Sequence, residues 1–156
     1  MSRYEIKLEP WSPSRWAELK DLAGAHFEEV DGDVEPNRPL NVDEDLMQLM
    51  QDGGSLRMFT ARKDGKVVAY FTWSVQPDVE SKGLLIGMMG AWYVAPGYPR
   101  AAFDMFAFSR EHLRAEGVQC LYPHHRVQGR GSHLGRFFER QGAKRIQETY
   151  SLWIGG

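Results

Sequence analysis

Cysteine is nearly absent from this chain of 156 residues, which contains only Cys120. One cysteine excludes an intrachain disulfide and a cysteine zinc site, and the short apolar stretch around it predicts a buried structural thiol rather than a nucleophile. Long apolar runs are also missing, so that no segment has the length to span a bilayer, and residues Met1 to Glu5 lack the apolar core of a signal peptide. We therefore expect no membrane segment and a reducing, cytoplasmic setting.

Domain linkers, repeats and low-complexity tracts are missing as well. Hydrophobic residues make up 42% of the chain and charged residues 26%, and both fractions are ordinary for a soluble globular protein. Because a chain of this length buries a substantial core as one unit, we expect a single domain over residues 1–156.

Positive charge is scarce in the first part of the chain and concentrated in the second. Residues 1–90 carry 10 Lys and Arg against 16 Asp and Glu, a net charge of −6, whereas residues 91–156 carry 9 against 5, a net charge of +4. Most of the later cations are arginines, whose planar fork binds phosphates and carboxylates. A phosphate-rich ligand, a solvated face and an acidic protein partner all fit this half. No basic run is interleaved with aromatic residues, which argues against specific nucleic-acid binding.

Apolar periodicity and turn residues predict the element order β-α-α-β-β-β-α-β-α-β, an α/β mixed sheet rather than a doubly wound one. Helices are predicted from Ser12-Pro13, from a capping box that opens at Asn41, and over residues 100–115 and 132–141. The strands are predicted at residues 4–8, 56–63, 66–75, 84–94, 118–122 and, as one strand or a pair, 145–154.

An apolar strand, an elbow and an amphipathic helix follow one another between Leu84 and Gly117. The elbow has the pattern Val94-x-Pro96-x-x-x-Arg100. Together they resemble the cofactor-binding core of the GNAT (GCN5-related) N-acyltransferase superfamily, whose element order is also the one predicted for the whole chain. The resemblance implies a GNAT-like fold with a mixed, mostly antiparallel central sheet flanked by helices.

This resemblance also implies a site for acetyl-coenzyme A between the strand that ends near Val94 and the strand 118–122. In the family the pantetheine arm bonds to the backbone of the first strand, and the pyrophosphate meets the N-terminus of the following helix. The cofactor-binding positions implied in this chain are Trp92, Tyr93, Val94, Arg100, Ala101 and Ala102.

Three features of the family's chemistry are not found. The glycine-rich turn after the arginine is replaced by residues 101–105. We expect the side chains of Phe103 and Met105 to obstruct a tight amide cradle, and we expect Phe103 to be a core residue. Phe138 stands where many members have a tyrosine that protonates the departing thiolate, and phenylalanine has no proton to donate. Residues 88–93 of the central strand contain no carboxylate to act as general base. The catalytic residues therefore stay unknown.

Other side chains could substitute. His124 and His125 follow the strand beside the implied channel and suit a base near neutral pH, or else hydrogen-bond to solvent in an exposed loop. Without a third ligand the pair predicts no metal site. Tyr150 lines the substrate side or packs across the sheet, and the acidic run from Glu28 to Asp33 suits an amine-bearing acceptor or serves solubility.

Two functions follow as alternatives. The first is a catalytically degenerate GNAT-fold protein with a structural or interaction role, whose Arg-rich C-terminal half docks onto a protein partner. The second is a working acetyl-CoA-dependent N-acetyltransferase that modifies an amine of a small molecule or protein. Because three chemical features are missing together, the sequence favours the degenerate protein, and it predicts no oligomeric state.

A second resemblance bears on the first alternative. The pattern Ser132-His133-x-x-x-Phe137, Gly142-Ala143 after it and the terminal Glu148-x-Tyr150 look like small GNAT-like proteins encoded by tailed bacteriophages. Some of those are virion or assembly components, which implies a place in the virion instead of the cytoplasm.

Overall fold

The computed structural model describes residues 4–30, 39–127 and 133–154. Its elements are β1 (Glu5–Leu8), α1 (Pro13–Val30), α2 (Glu44–Asp52), β2 (Leu56–Lys63), β3 (Lys66–Pro77), β4 (Leu85–Val94), α3 (Pro99–Ala115), β5 (Cys120–Tyr122) and α4 (Leu134–Arg140). None of the helices in these three ranges is long and apolar enough to cross a membrane.

The strands form one sheet in the order β1-β2-β3-β4-β5. The first three pairings are antiparallel, and β4 and β5 run parallel. A tight turn at Asp64 and Gly65, both with positive φ, joins β2 to β3. The predicted mixed, mostly antiparallel sheet is therefore confirmed.

Helices cover both faces of this sheet, and each face has its own core. The face under α3 and α4 buries Phe59, Phe71, Trp73, Met105, Leu113 and Phe138. The face under α1 and α2 buries Trp11, Leu19, Met58, Tyr70 and Tyr93. Burial on both faces explains why β4 reads as a continuous apolar run in the sequence.

The first two helices begin at polar caps. The Oγ of Ser12 accepts the backbone N–H of Arg15 at 3.2 Å, which confirms the predicted start of α1. Helix α2 starts two residues later than a capping box at Asn41 would give. Its N-cap is Asp43, whose Oδ1 accepts the N–H of Leu46 at 2.9 Å, so the carboxylate takes the position that the prediction gave to the amide.

The last predicted strand is not formed, and the order of the described elements ends at α4. Residues 143–154 have no regular secondary structure. The side chains of Ile146, Tyr150, Leu152 and Ile154 are 70–90% exposed. A strand exists only as part of a hydrogen-bonded ladder, and the described strands pair with one another and not with this segment. The prediction that Tyr150 lies on a strand is wrong.

Candidate functional site

The site begins where the ladder between β4 and β5 ends. Its three register pairs run from Ile86 with Cys120 to Met88 with Tyr122. The residue after β5 is Pro123, which has no N–H to donate to a ladder. Strand β4, in contrast, continues past Met88 to Val94. The part of β4 from Met89 to Val94, here called the splayed end of β4, is the segment that the family resemblance assigns to the pantetheine arm.

A β-bulge lies within the splayed end. Phe71 pairs with Trp92 and Trp73 with Met89, so Thr72 faces both Gly90 and Ala91. The N–H of Ala91 donates to the hydroxyl of Thr72 at 2.7 Å instead of to a backbone carbonyl.

The bulge decides which side chains point to which face. Met89 packs in the core under α3, and so does Trp92 three residues later, where simple alternation would place it on the opposite face. Tyr93 consequently points toward α1.

Four side chains meet on that α1 face: His26, Glu29, Tyr70 and Tyr93, here called the His26 cluster. The Nδ1 of His26 lies 2.6 Å from the hydroxyl of Tyr70, and its ring stacks on that of Tyr93 with 4.7 Å between centroids. The Tyr93 hydroxyl donates to Oε2 of Glu29 at 2.8 Å. Both tyrosines are buried, whereas His26 is half-buried and Glu29 is exposed, so the cluster reaches from the core to the surface.

These groups suit acyl transfer to an amine. An exposed carboxylate attracts a cationic amine, and an imidazole exchanges protons near neutral pH. The cluster is not evident from the sequence, in which His26 and Glu29 have the pattern of a helix end that leads into an acidic run. One sequence signal does point to the cluster. His26 and Glu29 are three residues apart and so share one face of α1, and Tyr70 and Tyr93 lie on the neighbouring strands β3 and β4.

The implied phosphate site at the start of α3 has few donors. Pro99, the first residue of the helix, has no N–H, and the N–H of Ala101 donates to the carbonyl of Tyr98 at 3.0 Å. Helix winding already includes residues 99–103, and from the fifth residue on each helical N–H bonds to the carbonyl four residues earlier. The N–H groups of Arg100 and Ala102 are the donors left at this end, beside the exposed Arg100 side chain.

Of the two bulky residues in the replaced turn, one lies elsewhere than predicted. Phe103 is not a core residue, since its side chain is 40% exposed and stands against Phe137 with 4.9 Å between ring centroids. Met105 is fully buried in the core. Both residues belong to α3, whose winding includes residues 101–105, the positions of the family's glycine-rich turn.

The aromatic positions beside the splayed end belong to the core. Phe138 is buried and contacts Trp92 and Phe106, with ring centroids 5.4 and 5.5 Å away. It is a core aromatic residue, in agreement with the sequence, since phenylalanine has no hydroxyl that could donate a proton. Trp92 also stacks on Phe106, so its side chain supports the strand whose backbone the resemblance assigns to the cofactor.

The two loop histidines differ from each other. His125 is a packing residue: its Nδ1–H donates to the carbonyl of Arg126 at 2.8 Å, and a Cβ on Gly135 would lie 2.6 Å from its Nε2. His124 is exposed as a residue, yet the protein around its imidazole removes part of the hydration and, with Arg126 and His125, lowers its pKa below 6.5. Among the residues that the structure describes, no three His, Cys, Asp or Glu side chains are grouped as a metal site. The Cys120 side chain is half-buried, whereas the sequence predicts a buried thiol.

No family model matches the chain, and no curated protein matches it. Solved structures do. An aminoglycoside acetyltransferase from an uncultured soil metagenomic sample superposes with a TM-score of 0.74 at 12% identity, over 97% of this chain and 99% of that one. A ribosomal-protein-alanine N-acetyltransferase from Brucella melitensis has a TM-score of 0.70 at 17% identity, over 98% and 99%.

A third structure, AAC(6')-Iy in complex with a bisubstrate analog, CoA-S-monomethyl-acetylneamine, has a TM-score of 0.60 at 11% identity and covers 99% of both chains. Identities this low show the fold alone. Over nearly its whole length, this chain has the fold of the GNAT N-acetyltransferases.

Proposed function

We propose that the chain is an N-acyltransferase that moves an acyl group from a pantetheine thioester, such as acetyl-CoA, to an amine. The observation that carries the proposal is the position of Tyr93. This residue belongs both to the splayed end of β4 and to the His26 cluster, so the implied thioester site and a proton-exchanging group share one strand segment.

The similar proteins support an amine as acceptor. One is named for the alanine of a ribosomal protein, others for aminoglycosides, and one binds an analog that joins CoA to acetylneamine. An exposed carboxylate at Glu29 suits the positive charge that such amines carry at neutral pH.

The residues present fit the two ends of acetyl-CoA unequally. The splayed end of β4 offers backbone for the pantetheine arm, with the bulge at Gly90 and Ala91 beside it. Arg100 and the N–H of Ala102 would hold the pyrophosphate, without the further amides of a glycine-rich turn. When bound, the thioester supplies the acyl group.

Proton removal falls to the His26 cluster. An amine must lose its ammonium proton before it attacks a thioester carbonyl, and the imidazole of His26 takes that proton. The Tyr70 hydroxyl and the stacked Tyr93 ring hold the imidazole in place, and the Tyr93–Glu29 hydrogen bond fixes the carboxylate that attracts the amine.

The test is thiol release from acetyl-CoA in the presence of an aminoglycoside or of a peptide with N-terminal alanine. We expect turnover, and we expect His26→Ala to lower kcat by at least about a hundredfold, the usual contribution of a general base. His133→Ala, an exposed histidine on the other face, is the matched control and should keep the wild-type rate. Equal activity of the two variants would remove His26 from the mechanism.

A non-catalytic interaction role, including that of a virion or assembly protein of a tailed phage, is the second candidate. The winding of the phosphate turn into α3 and the buried Phe138 favour it. Calorimetry with acetyl-CoA separates the two candidates. Heat of binding at micromolar ligand supports the enzyme, and no binding up to about 1 mM supports the interaction role.

A further inference from the structure

At one edge of the sheet, β1 has a neighbouring strand on one side and an open edge on the other. The N–H of Glu9 donates to the carbonyl of Met58 at 2.8 Å, and by alternation the backbone groups of Lys7 also point toward β2. The N–H and C=O groups of Ile6 and Leu8 consequently point away from the sheet. Within the described ranges no strand lies beyond β1, and such an edge is a template for pairing with another strand.

Charges of both signs stand side by side on this edge. Glu5 and Lys7 are two residues apart, so their side chains project from the same face of β1, where they are 57 and 51% exposed. In an antiparallel pair of two such strands about an axis through Ile6, each acid lies opposite the lysine of the other strand. Opposite charges directly across a strand pair are stabilising, whereas like charges are destabilising. An axis through Glu5 or Lys7 would place two like charges opposite each other.

The same axis suits the backbone. Because Ile6 directs its N–H and C=O outward, the Ile6 residues of two strands form a hydrogen-bonded pair on the axis, and Leu8 lies opposite Tyr4 of the other strand. The side chains of these three residues pack against the core on the α3 face, away from the charged pair. Backbone direction and charge pattern therefore agree on one register.

An apolar groove beside β1 lies on the same face. It has a volume of about 520 Å³, and its lining residues are Ile6, Asp104, Ala107, Phe108, Glu111 and His112. Phe108 stays 40% exposed, although its ring meets that of Phe59 edge-on with 6.0 Å between centroids. A twofold axis at the edge of β1 brings this groove next to its own copy, because both lie on the α3 face of the continued sheet. Covering the apolar side chains adds hydrophobic stabilisation to the strand contact.

We infer that two copies of this chain associate through the outer edges of β1, antiparallel about a twofold axis at Ile6, so that their two five-stranded sheets become one. The same edge serves both copies, which closes the assembly as a dimer. The inference does not depend on the proposed catalytic activity.

A second copy is favoured over a foreign strand by the edge itself. The partner needs outward backbone groups and an acid and a lysine in reversed order, and β1 of a second copy supplies all of these. A foreign basic strand would be favoured only by the acids of the groove. Of these, Glu111 already lies 3.2 Å from Arg110 and 3.7 Å from Arg114. Asp104 is half-buried, so water still reaches its carboxylate.

The first experiment is sedimentation velocity on the full chain. We expect a species of twice the 17.9 kDa monomer mass, in a concentration-dependent equilibrium. Lys7→Glu should raise the dissociation constant of this dimer by at least about tenfold, because two attractive pairs become two repulsive ones. Lys66→Glu, which makes the same charge change at an exposed lysine of β3, is the matched control and should leave the dimer intact. A wild-type monomer at all concentrations overturns the inference, as does an unchanged dimer in Lys7→Glu.

Mixing two variants identifies the contact itself. Lys7→Glu carries two acids on β1 and Glu5→Lys carries two lysines, so each variant repels its own copies and should be monomeric. In an equal mixture every acid of one chain lies opposite a lysine of the other, and the dimer should return. Native mass spectrometry, which separates the two chains by mass, should then show dimers that hold one chain of each variant. A mixture that stays monomeric, or a dimer that also forms from either variant alone, overturns the inference.

Discussion

Gly90 shows how one residue sets the geometry of the candidate site. A Cβ at this position would lie 2.4 Å from the Oγ1 of Thr72, far inside van der Waals contact. The same Oγ1 accepts the N–H of Ala91 and so replaces the ladder bond that the bulge removes. Glycine and threonine are therefore needed together, one to give the space and the other to fill it with an acceptor.

We predict that Gly90→Ala destabilises the protein by about 1–3 kcal/mol, because the added Cβ forces the Thr72 hydroxyl away and leaves the N–H of Ala91 without its acceptor. In a Thr72→Ala background the same change should cost much less, since the clashing oxygen is gone. Urea unfolding of the four proteins in this double-mutant cycle measures the coupling. Equal costs in both backgrounds would mean that Thr72 is not what excludes a side chain at position 90.

Among the elements, β1, β2 and α1 are joined by a network of charges. Arg62 of β2 contacts Glu9, which follows β1, at 3.0 Å, and it also pairs with Glu18 of α1. Arg15 of α1 reaches both acids. Thr60 donates its hydroxyl to the buried Glu9 carboxylate. The network ties the first helix to the edge of the sheet that lies opposite β5.

The pH dependence of stability tests this network. Hydrogen bonding from Arg62, the largest cause, and from Arg15 lowers the pKa of Glu18 from 4.5 to about 2, although burial acts in the opposite direction. A lowered folded-state pKa gives stability that is complete above pH 4.5 and is lost as the pH falls toward 2. We predict that Glu18→Gln removes this loss and costs about 1 kcal/mol at pH 7, because water still reaches the pair.

Thermal unfolding of the wild type and Glu18→Gln between pH 2 and 6, measured by circular dichroism, checks the prediction. Glu139→Gln, which changes an exposed glutamate of α4, serves as the control. Parallel pH curves for the wild type and Glu18→Gln would show that the network does not respond to the charge of Glu18.

At the start of α3 the loss of amide donors leads to a prediction about the acyl donor. Few N–H groups are left there to hold a pyrophosphate, whereas the splayed end of β4 still offers backbone to the pantetheine arm. Acetyl-pantetheine should therefore react with kcat/KM within about tenfold of acetyl-CoA, a difference of about 1.4 kcal/mol. Steady-state thiol release with both donors measures the ratio, and a preference for acetyl-CoA above about a thousandfold would show a strong phosphate site.

The sequence predicts the helices and strands of this fold better than it predicts which strands pair and which side chains meet. Apolar periodicity and the Asp64-Gly65 turn are local signals, and they located the helices and the first five strands. Pairing is not local. Nothing in residues 145–154 indicates that they pair with no described strand, and nothing around Gly90 indicates the bulge that turns Tyr93 toward His26. The candidate site is not evident from the sequence for the same reason, because its four side chains come from three separate elements.

At the scale of the whole molecule, the uneven charge gives a last test of the proposed acyl-donor site. Residues 91–156, which include α3, β5 and α4, carry a net charge of +4, whereas residues 1–90 carry −6. A positive half attracts the anionic phosphates of acetyl-CoA, whereas acetyl-pantetheine carries no charge. We predict that raising the salt from about 0.05 to about 0.5 M raises the KM for acetyl-CoA and leaves the KM for acetyl-pantetheine unchanged, because salt screens the attraction between charges and does not weaken apolar contacts. Steady-state thiol release at both salt concentrations measures the two KM values. The same salt dependence for both donors would show that the charge of this half does not act on the cofactor.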